Sequence, residues 1–141
     1  MSDVLVDTSA WIEFFRNSNS KWAEAVDLLL SEERVCTTSL VIVEVVSGAR
    51  TRSEFERLRK DFRALPRVDL PEDEWPKMLE SRWMLKTRGV TGVSISDLMI
   101  AHIGLVHDKA ILTCDRDFWR MRDVLGISLV EVEAKDETRR G

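Results

Sequence analysis

The chain has 141 residues, of which 44% are apolar and 33% charged, which suits one globular domain and is too short for two of ordinary size. No segment approaches the ~18 consecutive apolar residues of a membrane span, and the N-terminus lacks the basic and long apolar regions of a secretion signal, so we expect a cytoplasmic protein without a membrane segment. The formal net charge of −4 disfavours a simple nucleic-acid clamp, and two cysteines far apart in sequence support neither a disulfide framework nor a zinc site.

The predicted elements alternate between short apolar strands and helices. The first strand covers Val4 to Val6 and ends at Asp7, after which Thr8 to Phe15 reads as a helix. The further predicted elements are a helix over 22–30, a strand over 34–38, a helix over 53–65 ended by Pro66, a brief strand at 68–70, a helix from 71 to about 88 stopped by Gly89, a helix opened by Ser96 and Asp97, a strand over 110–114, a helix over 118–125 and a last strand over 128–130.

One segment allows two interpretations. Residues 40–46 are rich in β-branched side chains, which favours a strand. Ser39 as a possible N-cap and Gly48 as a possible stop favour a helix instead. The residues alone leave both open.

The alternation predicts an α/β fold in which helices cover both faces of a mostly parallel sheet. Ligands of such sheets gather beyond the carboxyl ends of the strands, where Asp7 and Asp115 are both expected to stand. We expect one domain over residues 1–133, followed by a polar tail at 134–141 that frays from it.

Each acidic residue, taken alone, also has an ordinary structural role. Glu44 interrupts an apolar run and can face solvent or pair with Arg50 or Arg52. Asp97 suits the first turn of a helix, and Asp7 can cap one; Asp115 or Asp117 can do the same. Four hydroxyl groups can bind the acids or a phosphate oxygen, or cap helices: Thr8, Ser9, Ser96 and Thr113.

Charge is unevenly spread along the sequence. Acids gathered into one pocket can hold divalent cations that meet a phosphate group, so a negative net charge does not exclude a nucleic-acid substrate. Local positive charge is supplied by Arg50, Arg52, Arg57, Arg59, Lys60 and Arg63.

Four blocks of this sequence resemble the PIN domains, and among them the VapC-type toxins of toxin–antitoxin operons. Residues 4–13 are similar to the opening of that family, 38–50 with the central Glu44 to its second motif, 96–101 to its third and 112–118 to its last. Four blocks in the order of the family, on an α/β frame of suitable length, make the resemblance specific.

The resemblance implies a PIN-like three-layer sandwich, with a helix at 40–46, and a divalent-metal-dependent endoribonuclease. It implies that Asp7, Glu44 and Asp97 bind metal and support cleavage, with Asp115 or Asp117 as the fourth acid. Mg²⁺ or Mn²⁺ prefers oxygen ligands, so we expect Asp7 and Asp97 to bind the ion directly. The implied partners are an RNA substrate, a VapB-type antitoxin and a second copy of the chain.

Three alternatives remain. One is a PIN-fold module that binds RNA or a partner without cutting. A receiver-type phosphoacceptor domain is disfavoured because Asp7 stands without a paired acid and no lysine lies at the end of the predicted strand at 128–130. A nucleophilic triad is disfavoured because His102 and His107 lie near one helix with no nucleophile elbow. We expect His102 to be structural and the five tryptophans to pack in the core.

Overall fold

The computed structural model describes residues 2–16 and 19–133. The expected tail at 134–141 lies outside the described residues, so the boundary at 133 stays a prediction. The elements are β1 (Val4–Val6), α1 (Thr8–Phe15), α2 (Lys21–Ser31), β2 (Val35–Cys36), α3 (Ser39–Val46), α4 (Arg52–Arg63), a 3₁₀ turn (Glu72–Glu74), α5 (Trp75–Thr87), α6 (Ile95–Val106), β3 (Ala110–Leu112) and α7 (Arg116–Leu125).

The strands of the described part form a parallel sheet in the order β2-β1-β3. Leu5 of the central strand is paired with Cys36 on one side and Ile111 on the other. All three residues of β1 are buried, as the apolar run predicts for a strand covered on both faces. The α/β prediction is confirmed.

The strands predicted at 68–70 and 128–130 are wrong: an isolated bridge at Arg67, one residue before the expected start, replaces the first, and an isolated bridge at Leu129 replaces the second. Thr37 pairs with Arg67, and Ile111 pairs with Leu129. After the first bridge Asp69 turns its carboxylate to the start of α3, where it accepts hydrogen bonds from the backbone N–H of Ser39 at 2.7 Å and the Thr38 hydroxyl at 3.0 Å. The ladder ends there.

Residues 40–46 are helical, and their β-branched side chains serve the core. Val41, Val45 and Val46 are buried, and this burial outweighs the intrinsic preference for a strand. The expected N-cap was one residue out: Thr38 holds the cap position and Ser39 is already inside α3.

The start of α6 also differs from the prediction. The helix begins at Ile95, and the hydroxyl of Ser94, not Ser96, accepts a hydrogen bond from the backbone N–H of Asp97 at 3.1 Å. Ser94 and Asp97 have the spacing of a capping box, a Ser followed three residues later by an acid. That spacing was the signal that identifies the cap.

α6 packs closely on β3. A Cβ atom at Gly104 would lie 2.9 Å from Cδ1 of Ile111 and 3.1 Å from the carbonyl oxygen of Lys109, closer than ordinary van der Waals contact. A side chain at position 104 would force these atoms to shift, so glycine favours the close approach of the last turn of α6 to the start of β3.

The tryptophans do not all pack in the core. Trp11 is buried and meets Phe62 edge to face, with ring centroids 5.0 Å apart. The side chains of Trp75 and Trp83 are 51% and 61% exposed on α5, so the prediction is wrong for these two. Among the described residues, no helix combines the length and hydrophobicity that crossing a membrane requires.

Candidate functional site

Asp7 lies directly after the central strand and is held rigidly. Its side chain caps α1 by accepting from the backbone N–H of Ser9, and its Oδ2 also accepts hydrogen bonds from the hydroxyl of Ser9 at 2.7 Å and that of Thr113 at 2.9 Å. The residue is only 3% exposed. Burial raises the pKa of Asp7 above its usual value, although these hydrogen bonds oppose the shift.

Two of the four predicted hydroxyl groups thus bind Asp7, and they also join β1 to β3. The Ser9 and Thr113 hydroxyl oxygens lie 3.1 Å apart, and the backbone N–H of Asp115 donates to Thr113 Oγ1 at 3.0 Å. Thr8 donates to Oε1 of Glu44 at 3.1 Å. In the part of the chain that the structure describes, the Ser96 hydroxyl instead pairs with that of Ser94, at 3.2 Å.

Three further acids gather around the start of α6 and α7. One carboxylate oxygen from each of Asp97, Asp115 and Asp117 lies within 4.8 Å of those of the other two. Asp115 caps α7 by accepting from the backbone N–H of Asp117 at 2.9 Å, and Asp117 is paired with Arg120 at 2.9 Å. The structure therefore brings both candidates for the fourth acid to Asp97.

Electrostatics tie Asp7 to this trio. The pKa of Asp97 is raised to about 7, first by burial and then by the negative charges of Asp7 and Asp115. Without a cation, the ionised form of Asp97 is destabilised near neutral pH. A bound cation would compensate the accumulated negative charge.

Glu44 stands apart from these carboxylates. It is exposed on α3, and its described link to the site is the hydrogen bond from Thr8, the neighbour of Asp7. It does not belong to the group of three acids around Asp97. The alternative of an ion pair with Arg50 or Arg52 is not found among the described residues, and Arg52 instead binds Glu56 at 2.7 Å.

The sequence matches the family described as PIN domain over residues 4–124. The chain belongs to the PIN-domain family. It is similar to ribonuclease VapC11 of Mycobacterium tuberculosis, with 32% identity over 82% of this chain and 88% of that protein.

Solved structures share the fold of this PIN domain. A DNA-bound VapBC from Salmonella typhimurium superposes with a TM-score of 0.70 and 24% identity, over 92% of this chain and 98% of that one. A toxin–antitoxin complex from Klebsiella pneumoniae gives a TM-score of 0.67 and 18% identity, over 82% and 90%. At these identities the likeness establishes the fold alone.

The donor set of the PIN domain fits a hard divalent cation. Such ions bind oxygen ligands at about 2.0 to 2.6 Å, so two oxygens on opposite sides of one ion lie at most ~5 Å apart. The oxygens of Asp97, Asp115 and Asp117 meet that limit. Within the described residues this group consists of carboxylates alone, a donor set that favours Mg²⁺ or Mn²⁺ over softer metals.

His102 forms a second polar cluster that the sequence did not reveal. Its Nδ1 lies 3.1 Å from Oε2 of Glu74 and its Nε2 2.8 Å from the hydroxyl of Ser81, all three residues being buried. The arrangement of Glu74, His102 and Ser81 resembles a nucleophilic triad. Ser81 lies inside α5, however, where the helix uses the backbone N–H groups that an oxyanion hole would need. The cluster joins α5 to α6, as expected of a structural histidine.

Proposed function

We propose that this PIN domain is a divalent-metal-dependent endoribonuclease, the toxin of a type II toxin–antitoxin pair. The observation that supports the proposal most directly is the grouping of the Asp97 and Asp115 carboxylates within metal-ligand distance, with Asp7 joined to Asp115 through the Thr113 hydroxyl. Similarity to VapC11, which is named a ribonuclease, supports RNA as the substrate. The receiver-type alternative is excluded by membership of the PIN-domain family.

The proposed role of each site residue follows from its position. A bound Mg²⁺ or Mn²⁺ ion supplies an activated water and neutralises negative charge on the phosphate. Asp97, Asp115 and Asp117 each bring one carboxylate oxygen within 4.8 Å of those of the other two, while the carboxylate of Asp7 is oriented by two hydroxyl donors. We assign metal binding to Asp7, Asp97 and Asp115, with Glu44 placed to orient water or a second ion.

Asp117 is the weaker candidate for the fourth acid. One of its oxygens already binds the guanidinium of Arg120 at 2.9 Å, which reduces the charge available to a metal. Asp115 carries no described ion pair with a cation, and its charge acts directly on Asp97. We therefore assign the role to Asp115 and a supporting role to Asp117.

The proposed inhibitor is a VapB-type antitoxin. An arginine of the partner can pair with the carboxylates of the site in a bidentate manner and displace the metal. An apolar pocket of about 190 Å³ between α1, α2 and α4 offers a place for the remaining contacts. It is lined by Trp11, Phe14, Phe15, Leu30, Phe62 and Leu65, with Asp61 at its edge.

Expression in a bacterial host tests the toxin role. The wild-type chain alone should arrest growth and degrade RNA, and co-expression with the small protein encoded beside it should restore growth. Asp97→Asn should be harmless at the same protein level, because it removes a charged metal ligand. Normal growth and intact RNA with abundant wild-type protein, or equal toxicity of Asp97→Asn, would favour the non-cleaving PIN-fold module.

The expected homodimer stays a prediction, and α5 offers a surface for it. Trp75, Leu79 and Trp83 follow one another at helical spacing, and Leu79 is 72% exposed. Acidic residues precede this helix and basic residues end it. An antiparallel pairing of two copies about a two-fold axis would therefore bury the apolar stripe and place opposite charges together.

A further inference from the structure

A groove of about 530 Å³ lies beside Glu44, bounded by the end of α1, by α3 and by the start of α4. Its charged lining comprises three arginines, Arg16, Arg50 and Arg57, and two acids, Glu44 and Glu54. Positive charge therefore predominates locally in a chain whose net charge is −4. Such a groove suits an anionic ligand.

The three arginines are available to a ligand. All are exposed, and among the described residues the ion pairs of α4 join Arg52 and Arg59 to Glu56 and take up neither Arg50 nor Arg57. Arg16 likewise has no ion pair within the described ranges. Three guanidinium groups that line one groove and have no carboxylate partner among residues 2–16 and 19–133 can each donate to a phosphate oxygen.

The groove is connected to the acidic site. Glu44 lines it and accepts the hydrogen bond from Thr8, and Thr8 follows Asp7 in the chain. A strand whose phosphate lies at the carboxylates can therefore continue past Glu44 into the groove. A basic groove that follows the backbone is the usual means of holding a single strand without reading its bases.

We propose that Arg16, Arg50 and Arg57 bind the backbone phosphates of single-stranded RNA on one side of the bond to be cut. The inference rests on the proposed function in taking RNA as the ligand. It adds a binding site outside the acidic cluster, one that holds the strand by charge and leaves sequence preference to other contacts.

Salt dependence of binding tests the groove directly. Asp97→Asn serves as the background so that RNA is not cut, and a fluorescent single-stranded RNA is titrated at several KCl concentrations in the presence of Mg²⁺. The logarithm of the association constant falls linearly with the logarithm of the salt concentration, and each lost phosphate contact should make this negative slope shallower by about 0.7. Arg50→Gln combined with Arg57→Gln should therefore reduce it by about 1.4 and weaken binding at every salt concentration.

Arg63→Gln is the matched control, because Arg63 is exposed on the same helix but does not line the groove. It should leave slope and affinity near those of the background. An unchanged slope in the double variant, or an equal change of slope in Arg63→Gln, would contradict phosphate binding in the groove.

The cleavage assay separates this inference from the proposed function. In the otherwise wild-type chain, the Arg50 and Arg57 substitutions should raise KM for RNA with little change in kcat, since they leave the acids in place. A fall in kcat alone would contradict the assignment. If the two substitutions weaken the salt dependence of RNA binding while the wild-type chain cleaves no RNA, phosphate binding in the groove would be supported and the nuclease activity refuted.

Discussion

Replacing Asp97 or Asp7 with Asn should lower the rate of RNA cleavage by about 100-fold or more, because a charged oxygen ligand of the metal is lost while the side chain keeps its size. The Asn carbonyl at position 7 can still accept hydrogen bonds from Ser9 and Thr113, which now reach Asp7 Oδ2 at 2.7 and 2.9 Å. Circular dichroism should show a retained fold, and initial rates with a labelled RNA give the loss.

Asp123→Asn controls for removing a negative charge. Asp123 lies on α7, and its side chain is 75% exposed, away from the described carboxylate group. It should cleave at the wild-type rate. Full activity of both Asp7→Asn and Asp97→Asn would refute the site, whereas loss in all three variants would point to an unspecific effect of charge.

Without divalent metal, the unfolding temperature should fall as pH rises from about 4 to about 7. The folded pKa of Asp97 is raised from 3.8 to about 7, so between these values the folded state binds a proton that the unfolded state has released. The stability is greatest below that window and is lost as pH passes through it. Burial of Asp7 acts in the same direction.

Asp97→Asn should flatten this dependence, because the amide does not titrate. At pH 8 in chelator the variant should unfold at a higher temperature than the wild type, and Mg²⁺ or Mn²⁺ should stabilise the wild type more strongly. Glu74 and Asp69 act in the opposite direction because their pKa values are lowered, but their effect is complete once the pH exceeds their ordinary values of 4.5 and 3.8, so the fall should be clearest above pH ~5. If Asp97→Asn is less stable than the wild type at pH 8 and keeps the same pH dependence, the proposed repulsion between Asp97 and its neighbouring carboxylates is contradicted.

The placement of a site residue could be predicted from the sequence when it depends on local structure. Asp7 and Asp115 follow strands, and the carboxyl ends of neighbouring parallel strands meet at one edge. The family resemblance added Asp97, which no local signal placed beside them. Its position depends on how α6 packs against β3 and α7, and a single sequence does not report such contacts between distant segments.

Glu44 illustrates what the pattern could not determine. The helix at 40–46 was implied by the resemblance, but which face it buries depends on packing against the rest of the fold. That packing buries Val41, Val45 and Val46 and leaves Glu44 exposed between the acids and the groove. The strands expected near residues 68 and 129 failed for a similar reason, since strand length depends on where a partner stops pairing.

The most direct test of the central claim is RNA cleavage by the purified wild-type chain as a function of divalent metal. Protein treated with chelator should leave a single-stranded RNA intact, and addition of Mg²⁺ or Mn²⁺ should restore cleavage in proportion to occupancy of the site, with no restoration in Asp97→Asn. Cleavage of the same RNA at an undiminished rate in excess chelator would contradict a metal centre built on Asp7, Asp97 and Asp115.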